Sequence, residues 1–490
     1  MRQATASRGG VARGDLEFPR EMSAEDALLW NIEEDPILRS TTAAVTLLER
    51  APDPERLRAG MLRAVVEIPR LRQRVAPLPL AVGNPVWVRD PDFDLSYHLR
   101  WVRVPRPQGP GAPAEGQRGG GSPLAAVLPL AASLAMAGFD RSRPLWEFLV
   151  VEGLPEGRAA LVQKLHHAIT DGVAVMRLME RVYDRSPDAP WPAPEELELP
   201  REEEPGALGL VAEALGRRLR EGREQARQGR RRARAFLRRP LRTTLQEIRG
   251  AAAVLPALVP DREPLCPIAR QRSSRYRFHA LDTDLGALRR AAHASGCRVN
   301  DAFLAALTGG WRHYHERHGA QCRALRAMIP VNLRSSGGGE GRALAGNQLT
   351  MARLVLPLEP VDPGRRMVEI RKRLLRERER PLAEVTGLLA QLANGLPGAL
   401  RTPLLGAFST GCDLIASCVP GLPEELYVAG ARVERLYTFG PTAGTALNAT
   451  LFSCGGRATL ALNVDPGAVA DHEVLSACMA EGLGEVLKLG

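Results

Sequence analysis

The chain has 490 residues, 44% of them hydrophobic and 25% charged, with aromatics at 4%. That globular balance excludes fibrous and wholly disordered classes and, at about 100 to 200 residues per domain, suggests two or three domains. The formal charge is +10, and the segment from Arg217 to Arg242, with twelve arginines against Glu221 and Glu224, carries as much as the entire chain, so the high isoelectric point reports one segment and not a basic surface.

Taken in order, the first stretch, MRQATASRGGVARGDLEFPR (1–20), has basic residues but no apolar run or small-residue cleavage site behind them. It reads as a loose tail and not as a secretion signal. MSAEDALLW opens like a capped helix, with Ser23 ahead of Glu25 and Asp26. TTAAVTLLE is β-branched and strand-like. Across PERLRAGMLRAVVEIPRLRQRV (54–75) Leu57, Met61, Leu62, Val65 and Val66 recur with the helical period, which predicts one helix. A glycine and proline loop, RPQGPGAPAEGQRGGGSP, leads to a further helix over 124–137. This apolar run is short and contains Pro129, and no stretch offers the 18 or so uninterrupted apolar residues a membrane-spanning helix needs.

RPLWEFLVVEGL and RAALVQKLHHAI read as two strands and GVAVMRLMERVYD as the helix after them. SPDAPWPAPEELELPREEEPG is a proline-rich acidic linker, and the arginine-rich stretch that follows is helical by propensity. From residue 265 the mixed pattern restarts, with helices in DLGALRRAAHAS and NDAFLAALTGGWRHYHERH and strands in RALRAMIPVNLR and ATLALNVD. No repeat of fixed period is visible. The division expected is a tail at 1–20, an α/β half at 21–186, an acidic and then basic crossover at 187–264, and a second half at 265–490. Seven cysteines (Cys266, Cys297, Cys322, Cys412, Cys418, Cys454 and Cys478) form no C-x-x-C pair, which fits a reducing cytosol.

Chemistry concentrates in LVQKLHHAITDGVAV (161–175). Adjacent residues of an extended backbone project to opposite sides, so of His166 and His167 one can face a cavity while the other is held in the protein. Asp171 follows across a turn, where it could orient the loop through an arginine, and Gly172 leaves room for a backbone or a narrow substrate. An imidazole with a pKa near 6.5 is mostly neutral at physiological pH and suits general-base catalysis on a hydroxyl. The competing reading is two histidines packed at a strand end. Ser409 in GAFSTG does not fit G-x-S-x-G, so a nucleophile elbow is missing. His313, His315 and His318 in RHYHERH lack a carboxylate or cysteine ligand at metal spacing and read as a solvated helix face, with no metal expected. SSGGGEG (335–341) lacks the Lys-Ser/Thr ending of a phosphate loop.

HHAITDG matches the H-H-x-x-x-D-G signature of the coenzyme A-dependent acyltransferase superfamily, which includes chloramphenicol acetyltransferase and the condensation domains of peptide synthetases. More closely, the chain resembles the bacterial wax ester synthase/diacylglycerol acyltransferase family. MSAEDALLW, FDLSYHLR, the Pro144-Leu145-Trp146 of FDRSRPLWE, the Asn300-Asp301 of VNDAFLAAL, MIPVNLR and GNQLT follow in that family's order. The resemblance implies an α/β (α+β) fold of two chloramphenicol acetyltransferase-like domains with a tunnel between them. Acyl-CoA would enter from one face and diacylglycerol or a long-chain alcohol from the other, with no cofactor. His167 would be the general base, in one ternary complex, with His166 and Asp171 mainly structural. Pro144, Leu145, Trp146, Asn300 and Asp301 would belong to the substrate tunnel, Asn300 and Asp301 shaping it or steadying the oxyanion, and Arg334 in VNLR is a candidate partner of Asp171.

Three stretches depart from the family pattern. Cys418 stands at the asparagine position of Ser-Asn-Val-Pro-Gly, Cys454 at the tyrosine of NITVxSY, and PILRSTTAA lacks Pro-Met-His. These leave the base intact and bear on the acceptor pocket. For Arg217–Arg242 an anionic membrane or lipid-droplet surface is the expected partner, since arginines near an anionic leaflet are worth about 1 kcal/mol each. A solvated helix is the plain alternative. Nucleic acid is not expected, because no aromatic beyond Phe236 interleaves the arginines. The low-charge run 385–408 could assist at the membrane. The protein is then expected in the cytoplasm, peripherally attached to membrane or droplets. Rival readings are a condensation enzyme fed by a carrier protein or using another acceptor, and a lipid-binding protein on a lapsed acyltransferase scaffold.

Overall fold

The structure, a computed structural model, describes residues 18–78, 83–105, 122–169, 178–190, 206–238, 263–332, 349–378, 393–394, 396, 398–422 and 424–490. Ser23 caps the first helix, α1 (Ala24–Ile32), its hydroxyl accepting the Asp26 N–H at 3.0 Å. Strand β1 (Thr41–Leu48) follows. Helix α2 (Pro54–Glu67) starts with Asp53 accepting the N–H groups of Glu55 and Arg56. It stops well short of the residue 75 that the periodicity predicts. Pro69 lacks an N–H and biases Ile68 out of the helical region, to φ −114° and ψ 94°. The remainder of that stretch becomes β2 (Gln73–Ala76), which pairs with β3 (Val86–Arg89) in a small hairpin.

Beyond it lie α3 (Leu95–His98), β4 (Leu99–Arg103), α4 (Pro123–Met136), β5 (Trp146–Glu152) and β6 (Ala159–His166). Helix α5 (Ala207–Arg238) is unbroken over 32 residues, about 48 Å at 1.5 Å per residue. The second half contributes β7 (Arg277–Asp284), α6 (Leu285–Ala294), α7 (Val299–Arg317), β8 (Ala324–Asn332), β9 (Leu349–Pro357), α8 (Pro363–Arg378) and α9 (Gly398–Thr410). It closes with β10 (Leu414–Pro420), β11 (Tyr427–Val428), β12 (Ala431–Phe439), β13 (Leu447–Cys454), β14 (Arg457–Val464) and α10 (His472–Leu487).

These strands form two six-stranded sheets, ordered β11-β12-β1-β6-β5-β4 and β7-β14-β13-β10-β8-β9. Strands β11 and β12 come from the second half of the chain yet complete the first sheet, with Ala43 opposite Phe439 and Leu47 opposite Arg435. The linear division at residue 265 therefore does not carry over to the sheets.

Each sheet has its own apolar core, and a third cluster joins them. Val127, Ala131, Ala132 and Ala135 of α4 pack with Val45 of β1, Phe278 of β7 and Phe439 of β12. In the second core α7 and α10 touch backbone to backbone. A Cβ on Gly482 would sit 2.3 Å from the Gly310 nitrogen and 2.4 Å from the Ala306 oxygen. Among the described residues no helix is long and apolar enough to cross a membrane.

Candidate active site

Strand β6 lies between β1 and β5, with Thr41 opposite His166 and Trp146 opposite Leu165. The ladder holds both histidine backbones: the His166 N–H donates to the Leu145 carbonyl and the His167 N–H to the Ser40 carbonyl, each at 3.0 Å. His166 is fully buried, and its Nδ1 accepts the Ala168 N–H at 3.0 Å. An accepting Nδ1 leaves the ring proton on Nε2, which lies 3.1 Å from Glu33 Oε1, a close polar contact without the alignment of a hydrogen bond. The edges of Trp30 and Phe139 wall the ring, with centroids 5.8 and 6.1 Å distant.

His167 keeps part of its surface accessible. Burial, with a smaller contribution from the neighbouring His166, pushes its pKa down to about 4. The ring is neutral at physiological pH and able to accept a proton. Asp171 and Gly172, and Arg334 with them, lie outside the described residues.

Pro144, Leu145 and Trp146 pack in the core. All three are buried, and the Leu145 carbonyl holds the His166 N–H. The Trp146 indole N–H donates to the Leu71 carbonyl at 2.8 Å, while its ring stacks on His98 at 4.6 Å and meets the edge of Phe148. Their contribution is to fix the strand next to the histidines.

Asp301 does not suit the oxyanion part of its expected role. It is buried at the start of α7, where its Oδ2 accepts the Arg298 N–H at 2.8 Å and faces Arg371 at 3.4 Å. A carboxylate committed to a helix start and a guanidinium cannot steady a developing anion. Asn300 is half-buried in the same first turn.

Of the three histidines at the end of α7, His318 is exposed and His313 half-buried, and only His315 leaves the solvated face that their spacing suggests. His315 is buried, donating through Nδ1 to the Trp311 carbonyl at 2.7 Å and accepting the Cys266 S–H on Nε2 at 3.2 Å. His313 lies 2.9 Å from Glu485 and His318 3.0 Å from Asp471. Among the described residues no cluster of His, Cys, Asp and Glu could hold a metal ion.

Two features carry no local sequence signal. Glu33 reaches His166 only because α1 folds back against the end of β6. Tyr183 donates to Gln163 Oε1 at 2.7 Å and accepts from Thr46 Oγ1 at 2.6 Å, which ties the helical residues 178–182 to β6 and β1. Cys454 is half-buried against the first core and borders a depression of about 150 Å³ with Phe452, Leu436, Arg435 and Arg457. Cys418, half-buried on β10, has its thiol pushed up to about 11 by burial.

A model of the wax ester synthase/diacylglycerol acyltransferase catalytic domain matches residues 22–303, and one of the WS/DGAT C-terminal domain matches residues 345–486. A Mycobacterium tuberculosis protein provisionally named a diacylglycerol O-acyltransferase is 35% identical over 493 residues, covering 96% of this chain and 93% of the relative. A second from the same organism is 29% identical, covering 92% and 93%. The solved wax ester synthase/diacylglycerol acyltransferase of Marinobacter aquaeolei VT8 superposes with a TM-score of 0.60 at 21% identity, covering 95% of this chain and 98% of that one. The first condensation domain of the calcium-dependent antibiotic synthetase gives 0.57 at 16% identity and 96% of each. The two solved structures share this two-sheet fold.

Proposed function

The chain belongs to the wax ester synthase/diacylglycerol acyltransferase family and is an O-acyltransferase, and we propose that His167 is the general base that passes a long-chain acyl group from acyl-CoA to diacylglycerol or a fatty alcohol. The observation that carries the base assignment is the asymmetry of the pair. His166 is fully buried, its Nδ1 held by the Ala168 N–H and its Nε2 set against Glu33, whereas His167 emerges from the strand end partly accessible and uncharged. In one ternary complex the acceptor hydroxyl gives its proton to His167 as its oxygen attacks the thioester carbonyl. The carbon–sulfur bond then breaks, and the proton passes to the departing CoA thiolate. The names of the mycobacterial relatives favour a diacylglycerol acceptor. Free acyl-CoA as donor separates this reading from a carrier-protein condensation enzyme, and turnover separates it from a non-catalytic lipid binder.

The test is transfer of a labelled acyl group from CoA to diacylglycerol and to a fatty alcohol by wild type and His167→Ala. Loss of 10² or more in rate is expected on removal of a general base. Undiminished transfer overturns the assignment.

Helix α5 supports a second element of the proposal, peripheral attachment to an anionic membrane or droplet surface in the cytoplasm. Its start is anchored, with Ala214 buried against Leu78, Val86 and Val88 and Arg217 2.7 Å from Glu21. Leu208, Leu215 and Leu219 remain 88%, 47% and 65% exposed. Spacings of seven and four put them on one stripe, with arginines on the flanks. An exposed leucine stripe edged by arginines suits an anionic lipid interface better than nucleic acid.

A further inference from the structure

Glu33 ends α1 in a nearly closed setting, its side chain 9% exposed, and no step above uses it. A single carboxylate oxygen meets two groups at once. Oε1 accepts the Ser40 N–H at 2.6 Å and lies 3.1 Å from the proton-bearing Nε2 of His166. The carbonyl of that same Ser40 receives the N–H of His167. The carboxylate thus touches the buried histidine directly and reaches the accessible one through one residue.

The charge of Glu33 persists despite its surroundings. Burial pushes the carboxyl up, but the His166 imidazole, the Ser40 N–H and the nearby Arg141 guanidinium together outweigh it and hold the group below the usual carboxylate range. Arg141 is itself placed 4.3 Å above the Trp30 ring, the same ring that walls His166. Without the carboxylate, the buried Nε2 of His166 would lose this polar neighbour, and the Ser40 peptide would lose its anchor.

We propose that Glu33 is a positioning residue for acyl transfer, holding the His166 ring and the Ser40 peptide so that His167 leaves the end of β6 in one orientation. This rests on His167 being the base. Misplacement of a reacting group by about 1 Å can cost on the order of 10² in rate, so a contact that never meets substrate can still govern turnover.

The experiment uses full-length Glu33→Gln, Glu33→Ala, His167→Ala and the Glu33→Ala/His167→Ala double variant. The readings are kcat, KM for a long-chain acyl-CoA and for diacylglycerol, and the melting temperature. Expected are a fall in kcat of roughly 10- to 100-fold for Glu33→Ala, partial recovery in Glu33→Gln, whose amide oxygen still accepts one N–H, and KM values within about twofold of wild type. The double variant should be no slower than His167→Ala alone, because two residues that act as a unit are not additive. If the alanine variant does not fold, Glu33→Gln carries the kcat and KM comparison. A folded Glu33 variant with wild-type kcat overturns the proposal, as does a further slowing of His167→Ala by the second substitution. Full activity in His167→Ala refutes the base itself, and the positioning role with it; a slow His167→Ala beside an unaffected Glu33→Ala refutes only the positioning role.

Discussion

Phe278 lies flat on Phe439, ring centroids 4.0 Å apart and planes 7° from parallel. The first ring belongs to β7 of one sheet and the second to β12 of the other, so the pair is a direct bolt between the two bodies. Phe278→Ala is expected to destabilise the protein by about 3 to 5 kcal/mol, the usual cost of emptying a phenylalanine site. Urea unfolding followed by tryptophan fluorescence measures it. A cost below about 1 kcal/mol would show that the rings are not a structural joint.

Acid should weaken this fold in a defined window. Burial pushes His167 down to about 4 and, with the help of His472 at 3.0 Å and against Glu473, pushes His279 down to about 4 as well. Both rings are neutral in the folded chain, whereas an unfolded histidine binds a proton near pH 6.5. Their stabilisation is complete above about pH 6.5 and is lost progressively as the pH falls toward 4. Melting temperature should drop across that interval, and His279→Gln should flatten the drop.

The same depressed value shapes the activity profile. With the base already unprotonated, kcat/KM should stay level through the neutral range and decline only below about pH 5. A half-maximal point near 6.5 would mean that the imidazole is better hydrated than its burial implies.

Close helix packing offers a sharper stability test. Gly482→Ala places a methyl within 2.4 Å of two backbone atoms of α7, and overpacking of this kind typically costs about 1 to 3 kcal/mol. Neither contact is the end of a flexible side chain, so the helices themselves must part. Circular dichroism melts of Gly482→Ala against Gly484→Ala, where the added carbon meets nothing within 4 Å, isolate that effect from helix propensity.

Membrane attachment through α5 can be separated from catalysis. Replacing Leu208, Leu215 and Leu219 by serine should reduce co-sedimentation with phosphatidylserine-containing vesicles at least severalfold. Raising the salt should weaken the wild type further, since charge attraction is screened. Binding that is indifferent to both changes would remove the helix from the interface.

The histidine pair was legible from sequence because its motif is local, seven consecutive residues of which the first ends β6. The cap of α1 at Ser23 and the helix at Pro54 were legible for the same reason. Other features rest on contacts between distant segments. The pairing of Ala43 with Phe439 leaves no mark on either stretch. Glu33 looks like any acidic residue at a helix end until Ser40 and His166 arrive beside it. Trp146 and Asp301 were recognisable as motif members, but their motif gave no clue that one supports a strand and the other caps a helix. His315 reads as surface by its charged neighbours, and only the approach of Cys266 reveals it as interior.

The insertion of β12 beside β1 has a consequence for how the protein is made. The ribosome releases the histidine strand long before residue 439, and at about 5 to 20 residues per second the gap lasts on the order of tens of seconds. Throughout that interval β1 exposes a raw hydrogen-bonding edge, the kind that recruits other chains. A nascent chain stalled before residue 431 would carry both histidines and still lack the neighbour that closes their sheet, a liability for the cell's quality control instead of a working half-enzyme.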